Sequence, residues 1–177
     1  MKKRLVLAAA LAAGFAAAFP GARANAAGSP GQHDAHAKEA DHHAKVNERG
    51  DHVMGFDHEK TTHHFLLARR GGSIEVTANS ADDAESRNAI RGHLTHIARM
   101  FADGNFEAPM LIHDRVPPGV PVLQKKKDSI RWTYEELPAG ARIVATTKDK
   151  EALAALHEFL RFQIDDHKTG DPLEVPR

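Results

Sequence analysis

Two stretches decide the fold: IRGHLTHIARMFADG, Ile90 to Gly104, and LHEFLRFQIDDHKTG, Leu156 to Gly170. Ile90 and Leu94 precede Gly104 at the same spacing with which Leu156 and Leu160 precede Gly170. Each stretch repeats its apolar residues at helical intervals. Ile90, Leu94, Ile97 and Phe101 make one stripe, and Leu153, Leu156, Leu160 and Ile164 make the other.

Outward from each helix, the pattern changes to that of paired strands. Thr61 to Ala78 reads as a hairpin in which Ile74, Val76 and Ala78 alternate with Ser73, Glu75 and Thr77, and Gly71-Gly72 supplies the turn. Ser129 to Thr147 reads as a second hairpin, with Ile130, Trp132 and Tyr134 alternating and Pro138-Ala139-Gly140 as its turn. Ser80 caps the first helix, which runs to about Ala102, and Asp149 caps the second, 150–168. Residues 105–128 form a long connector. Its Pro117-Pro118-Gly119-Val120-Pro121 run excludes helix or central strand, and Met110 to His113 makes a short strand. The fold expected is α+β: a two-layer sandwich with a ββαββα pseudo-repeat, a four-stranded antiparallel sheet and two helices on one face.

The N-terminus reads as an address. Lys2, Lys3 and Arg4 precede an apolar run from Leu5 to Phe19, and Ala22-Arg23-Ala24 is a small-x-small cleavage site. Pro20-Gly21 ends the run short of the ~20 residues a span needs. The chain is thus expected to divide into a signal peptide (1–24), a disordered His-rich tail (25–52), an α+β domain (53–172) and a C-terminal tail (173–177). Localisation is periplasmic or secreted, with no membrane span after cleavage.

Of the 177 residues, 24 are Lys or Arg, 24 are Asp or Glu, 13 are His and none is Cys. Cleavage after Ala24 removes four basic residues and no acid, leaving 20 against 24. Zero cysteines exclude disulfides, thiolate catalysis, Cys-ligated zinc and iron–sulfur clusters. The lack of a basic surplus argues against nucleic acid as a partner.

The phrases Met54-Gly55-Phe56-Asp57, Thr62-His63-His64-Phe65, Ile90-Arg91-x-His93-Leu94-x-His96-Ile97 and Phe159-Leu160-Arg161-Phe162-Gln163-Ile164-x-x-His167-x-Thr169-Gly170-Asp171 resemble a group of small secreted bacterial proteins. The resemblance covers roughly residues 52–171 and implies no established activity. Such sequences are sometimes named aspartate carbamoyltransferase. That name does not fit this chain, which has no Ser-Thr-Arg-Thr carbamoyl-phosphate loop and about half the needed length.

Histidine carries the remaining signal. With Ile90 at 0° and 100° per residue, His93, His96 and Met100 fall at about 300°, 240° and 280°, one stripe beside the apolar one. Two imidazoles and a thioether suit copper better than magnesium or calcium. His63 and His64 are consecutive on a strand and point to opposite faces, so one of them can complete a site in the helix layer. The bulk of Phe65 and Leu67 favours His63. His113 in the connector and His58, between Asp57 and Glu59, are further candidate ligands. His33, His36, His42 and His43 offer weak, exchangeable sites in the tail. His157 and His167 read as structural.

The function expected is a secreted or periplasmic protein that buffers or delivers copper, with zinc second, through His and Met ligands. It is read as a binding module rather than an enzyme. No nucleophile, phosphate-loop or His-Glu-x-x-His motif is present, and acid–base work by His63 or His64 is the enzymatic option left. The alternative is a metal-free structural or interaction domain. Phe162, off the core stripe near Phe159 and Ala155, would then form an apolar face for a homodimer or a periplasmic protein partner.

Overall fold

The computed structural model describes residues 30–177, and side-chain surroundings from residue 37 on. The expected signal peptide lies outside the described residues. In chain order the elements are α1 (Pro30–Met54), β1 (Thr61–Ala68), β2 (Gly71–Ala78), α2 (Ala84–Ala102), α3 (Glu107–His113), α4 (Val120–Lys125), β3 (Ile130–Leu137), β4 (Gly140–Thr147) and α5 (Lys150–His167). The four strands form one antiparallel sheet in the order β1-β2-β4-β3. This is the expected α+β arrangement, with helices packed on the sheet. The halves cross over: α2 lies chiefly on β3 and β4, and α5 on β1 and β2.

Both hairpins turn on two residues, Arg69-Arg70 and Pro138-Ala139, because Ala68 pairs with Gly71 and Leu137 with Gly140. Gly71 and Gly140 are therefore strand residues rather than turn residues. Their role is close approach. A Cβ on Gly71 would stand 1.8 Å from the Ala145 carbonyl oxygen, and one on Gly140 would stand 2.0 Å from that of Val76. The two positions are equivalent in the two hairpins, and each lets its own strand lie against the other half's backbone along the β2–β4 seam.

Three expectations about local structure are corrected. The cap of α2 is Asp83, whose carboxylate accepts from the Ser86 backbone N–H and hydroxyl, rather than Ser80. Asp149 caps α5 as expected, accepting from the N–H groups of Glu151 and Ala152. The connector is helical where extended chain was expected: Met110 to His113 belongs to α3, and the proline run leads into α4. Pro121 is tolerated because the first turn of a helix has no partner for the missing N–H. Gly119 at φ 81° begins that helix against α5, where a Cβ would meet the Ala155 carbonyl oxygen at 2.1 Å.

The third correction is the largest. Much of the segment 25–52, expected to be disordered, is the helix α1. Its composition has little apolar content, so tertiary contacts hold it. Val46 is fully buried, and Gly50 one turn later is also buried. Arg49 donates to the Ile112 carbonyl at 2.7 Å, Lys168 to Glu39 at 2.6 Å, and His42 lies 3.0 Å from Asp166. The folded unit therefore starts well before Val53.

The inner face of the sheet carries the core, including Phe65, Val76, Ile143 and Ala145, against Ile90, Leu94, Leu156 and Leu160 from the helices. Strand β1 is an edge. Just past α5 the chain returns to it, and Asp171 accepts the Phe65 N–H at 2.9 Å.

Gly140→Ala should destabilise the protein by about 2 kcal/mol or more, since the clash is with backbone and cannot be relieved by a rotamer change. Gly92, within α2 with open space around its Cα, is the control. Gly92→Ala should stabilise by about 0.5–1 kcal/mol. Urea unfolding midpoints check both.

Candidate metal-binding clefts

Burial alternates along β1, with Phe65 and Leu67 inside and Leu66 39% exposed. His63 therefore faces the helices, and His64 faces away and donates from Nδ1 to Asp171 at 2.8 Å. The inward His63 meets a row of rings. It stacks on Phe56 at 6.1 Å and on His167 at 6.0 Å, and His167 meets His113 edge-on at 4.9 Å. His93 of α2 stands edge-on to Phe56 at 5.7 Å. His63, His93, His167, Met54 and Gln163 all border an apolar cavity of about 70 Å³ between the sheet and the helices. His63 Nε2 and Gln163 Nε2 are buried without hydrogen-bond partners.

This enclosure keeps the rings neutral. Burial pushes His63 down to about 4, with His93, His58 and His64 adding repulsion and Asp51 opposing it. Burial pushes His93 to about 4 with help from His96, and His167 to about 3 with help from His113 and His63. A helix C-terminus favours a charged imidazole, but for His167 desolvation outweighs that attraction. Neutral imidazoles keep a lone pair for a metal ion without proton competition.

Two clefts among the described residues are bordered by the expected ligands of the domain. The first, about 200 Å³, lies between α2, α3 and the end of α1, and its walls include His93, His96, Met100 and Glu107. The structure thus brings the sequence-derived trio together and adds a carboxylate. The second, about 220 Å³, lies between α1, β1 and the end of α5, with His43, Met54, His58, His63 and His167 in its walls. His58 of that wall, together with Asp51 and Asp57, offers ligand atoms that all lie within 4.8 Å of one another. Gly55, at φ 76°, donates its N–H to the Asp51 carbonyl and ends α1. The turn folds Asp57 and His58 back over Asp51. His58 donates from Nδ1 to Asp51 at 2.9 Å, and Asp57 accepts the Glu59 N–H.

Other expected ligands are otherwise engaged. His113, taken from the sequence as a connector ligand, is 2% exposed and has both ring nitrogens occupied. Nδ1 meets Asp166 at 2.6 Å and Nε2 meets Gln163 at 2.9 Å. His64 is held by Asp171 outside the helix layer. His42 and His43 lie on helix α1 rather than in a disordered tail: His42 pairs with Asp166, and His43 Nε2 lies 3.4 Å from the His167 carbonyl oxygen. The side chains of His33 and His36 lie outside the described residues. His157 is structural, with Nε2 3.0 Å from the carbonyl oxygens of both Ala68 and Gly71 at the first hairpin. Phe162 is not a bare patch, since the Arg115 guanidinium lies 4.6 Å over its ring and His113 meets it edge-on.

Asp51, Met54 and His167 were not read from the sequence as site residues. The spacing His43, Val46, Gly50, Met54 is a helical stripe that could have announced α1 and its inward face. Compared with models of protein families, with curated proteins and with solved structures, the chain has no match.

The neutral histidines make stability depend on pH in a fixed direction. Their folded pKa values lie below the unfolded value of 6.5, so the unfolded chain binds more protons between the two. Stability is then full above about pH 6.5 and is lost as pH falls from there toward 4. The urea midpoint should drop steadily over that range, and His167→Leu should flatten the dependence.

Proposed function

We propose that the chain is an exported metal-binding protein that takes copper, with zinc second, at the cleft on α2. The observation that carries this reading is the convergence of His93, His96 and Met100 on one cleft. Imidazole nitrogen serves Cu(II), and the soft thioether sulfur serves Cu(I). Glu107 adds a negative charge beside the ion. His96 is exposed and offers the entry point, and His93 reaches inward to the neutral ring cluster. An open site of this kind suits a buffer or carrier, which must release its ion as well as hold it. The export reading rests on the sequence of residues 1–24.

Titration of the purified full chain with Cu(II), and with Cu(I) against a chromogenic chelator, tests the site. His96→Ala should weaken Cu(II) binding by roughly tenfold or more, a loss that even an outer-shell partner can cause, and leave the unfolding midpoint nearly unchanged. Met100→Leu should spare Cu(II) and weaken Cu(I), because Leu keeps the volume and removes the sulfur. Copper binding that survives His96→Ala would refute the assignment.

A further inference from the structure

The trio joined to the α1 cleft through His58 differs from the α2 cleft in chemistry. It offers two carboxylates and one imidazole, with no sulfur among its three ligand atoms. Such a donor set suits a borderline divalent ion of the zinc class rather than Cu(I). An acidic pair closed by one histidine could equally be a turn clasp. A second feature points to a ligand: the His63 imidazole forms a wall of the same cleft as His58. Its Nε2 is buried with no partner. A buried polar atom left bare carries a desolvation penalty, which a ligand or water in the cleft would relieve.

We propose that Asp51, Asp57 and His58 form a second metal site, for Zn(II) or a zinc-like divalent ion, with the His63 side of the cleft as its open position. The contact between His58 Nδ1 and Asp51, at 2.9 and 3.1 Å to the two carboxylate oxygens, is close to the ~3.3 Å edge between ligand atoms of a tetrahedral zinc centre with bonds of ~2.0–2.1 Å. The ion takes the place of the proton shared there. His58 binds as the neutral ring in its Nε2–H tautomer, with the Nδ1 lone pair on the ion, so the ring proton is relocated rather than lost. Both carboxylates stay ionised. All three ligands are half-buried, so the ion is reachable from solvent. The site does not rest on the copper reading: it shares no ligand with the α2 cleft.

Co(II), a spectroscopic substitute for zinc, tests the proposal on the full chain. One equivalent should give visible d–d absorption of an ordered nitrogen–oxygen site, and Zn(II) should displace it. Asp57→Asn keeps a competent cap for the turn after it and so preserves the fold, yet it should weaken Co(II) by at least tenfold. His58→Ala should abolish the ordered spectrum. His96→Ala and Met100→Leu should leave it unchanged while they reduce copper binding. Absence of d–d absorption in the wild-type chain would overturn the proposal. So would a spectrum that survives Asp57→Asn and His58→Ala, or one lost with His96→Ala, which would place the ion on α2.

Discussion

The seam between β2 and β4 is the constraint on which the molecule depends. It is the contact that joins the two hairpins into one sheet, and it forms only because Gly71 and Gly140 carry no side chain where each strand meets the other half's carbonyl. With the hairpins joined there, α2 covers mainly the second hairpin and α5 mainly the first. The crossing interlocks the halves, so neither hairpin–helix unit has its own helix as its main cover. It also leaves a space between the helices above β1, and that space holds His63, His93 and His167.

The contents of that space run against the usual economy of a core. Aliphatic side chains would fill it at no desolvation penalty, and imidazoles fill it only by giving up their charge. Asp166 anchors one end of the arrangement. Burial disfavours its ionised form, but bonds from His42 and His113 more than offset this and hold its carboxyl below the usual range. This one carboxylate ties α1, α3 and α5 together, with the Arg115 guanidinium as a third partner at 3.1 Å. The ring cluster and the two clefts beside it thus share a rigid frame built from polar contacts.

The legible part of the fold was the part with strong period. Both hairpins and both long helices follow from alternation and from the Ile90 and Leu156 stripes, because half-buried elements must separate their apolar and polar faces. Helix α1 was not legible by composition, since its stability comes from docking and its burial rests on Val46, Gly50 and a few long polar side chains. The short helices α3 and α4 were hidden by prolines that the first turn of a helix accepts. The α2 trio was visible because its members share one helix. The Asp51–Asp57–His58 trio was not, because it depends on a reversal at Gly55 that brings the end of α1 against the turn after it. His113 misled for a related reason: its partners Gln163 and Asp166 lie fifty residues away in sequence, and a histidine with both nitrogens satisfied looks like a ligand until they are placed.

The return of the chain after α5 has a consequence for how this protein behaves in a crowd. Edge strands offer unpaired N–H and C=O groups as templates for a neighbour's strand. On β1 the Phe65 N–H is already taken by Asp171, which is itself braced by the Thr169 hydroxyl at 2.7 Å and by His64. A carboxylate fixed there is a stopper: an incoming strand must displace a charged, triply bonded group before it can extend the ladder. At the opposite edge, β3 presents Arg131, Glu135 and Glu136, charges that resist being stacked against another sheet. The molecule is thereby guarded on both flanks against sheet-to-sheet polymerisation.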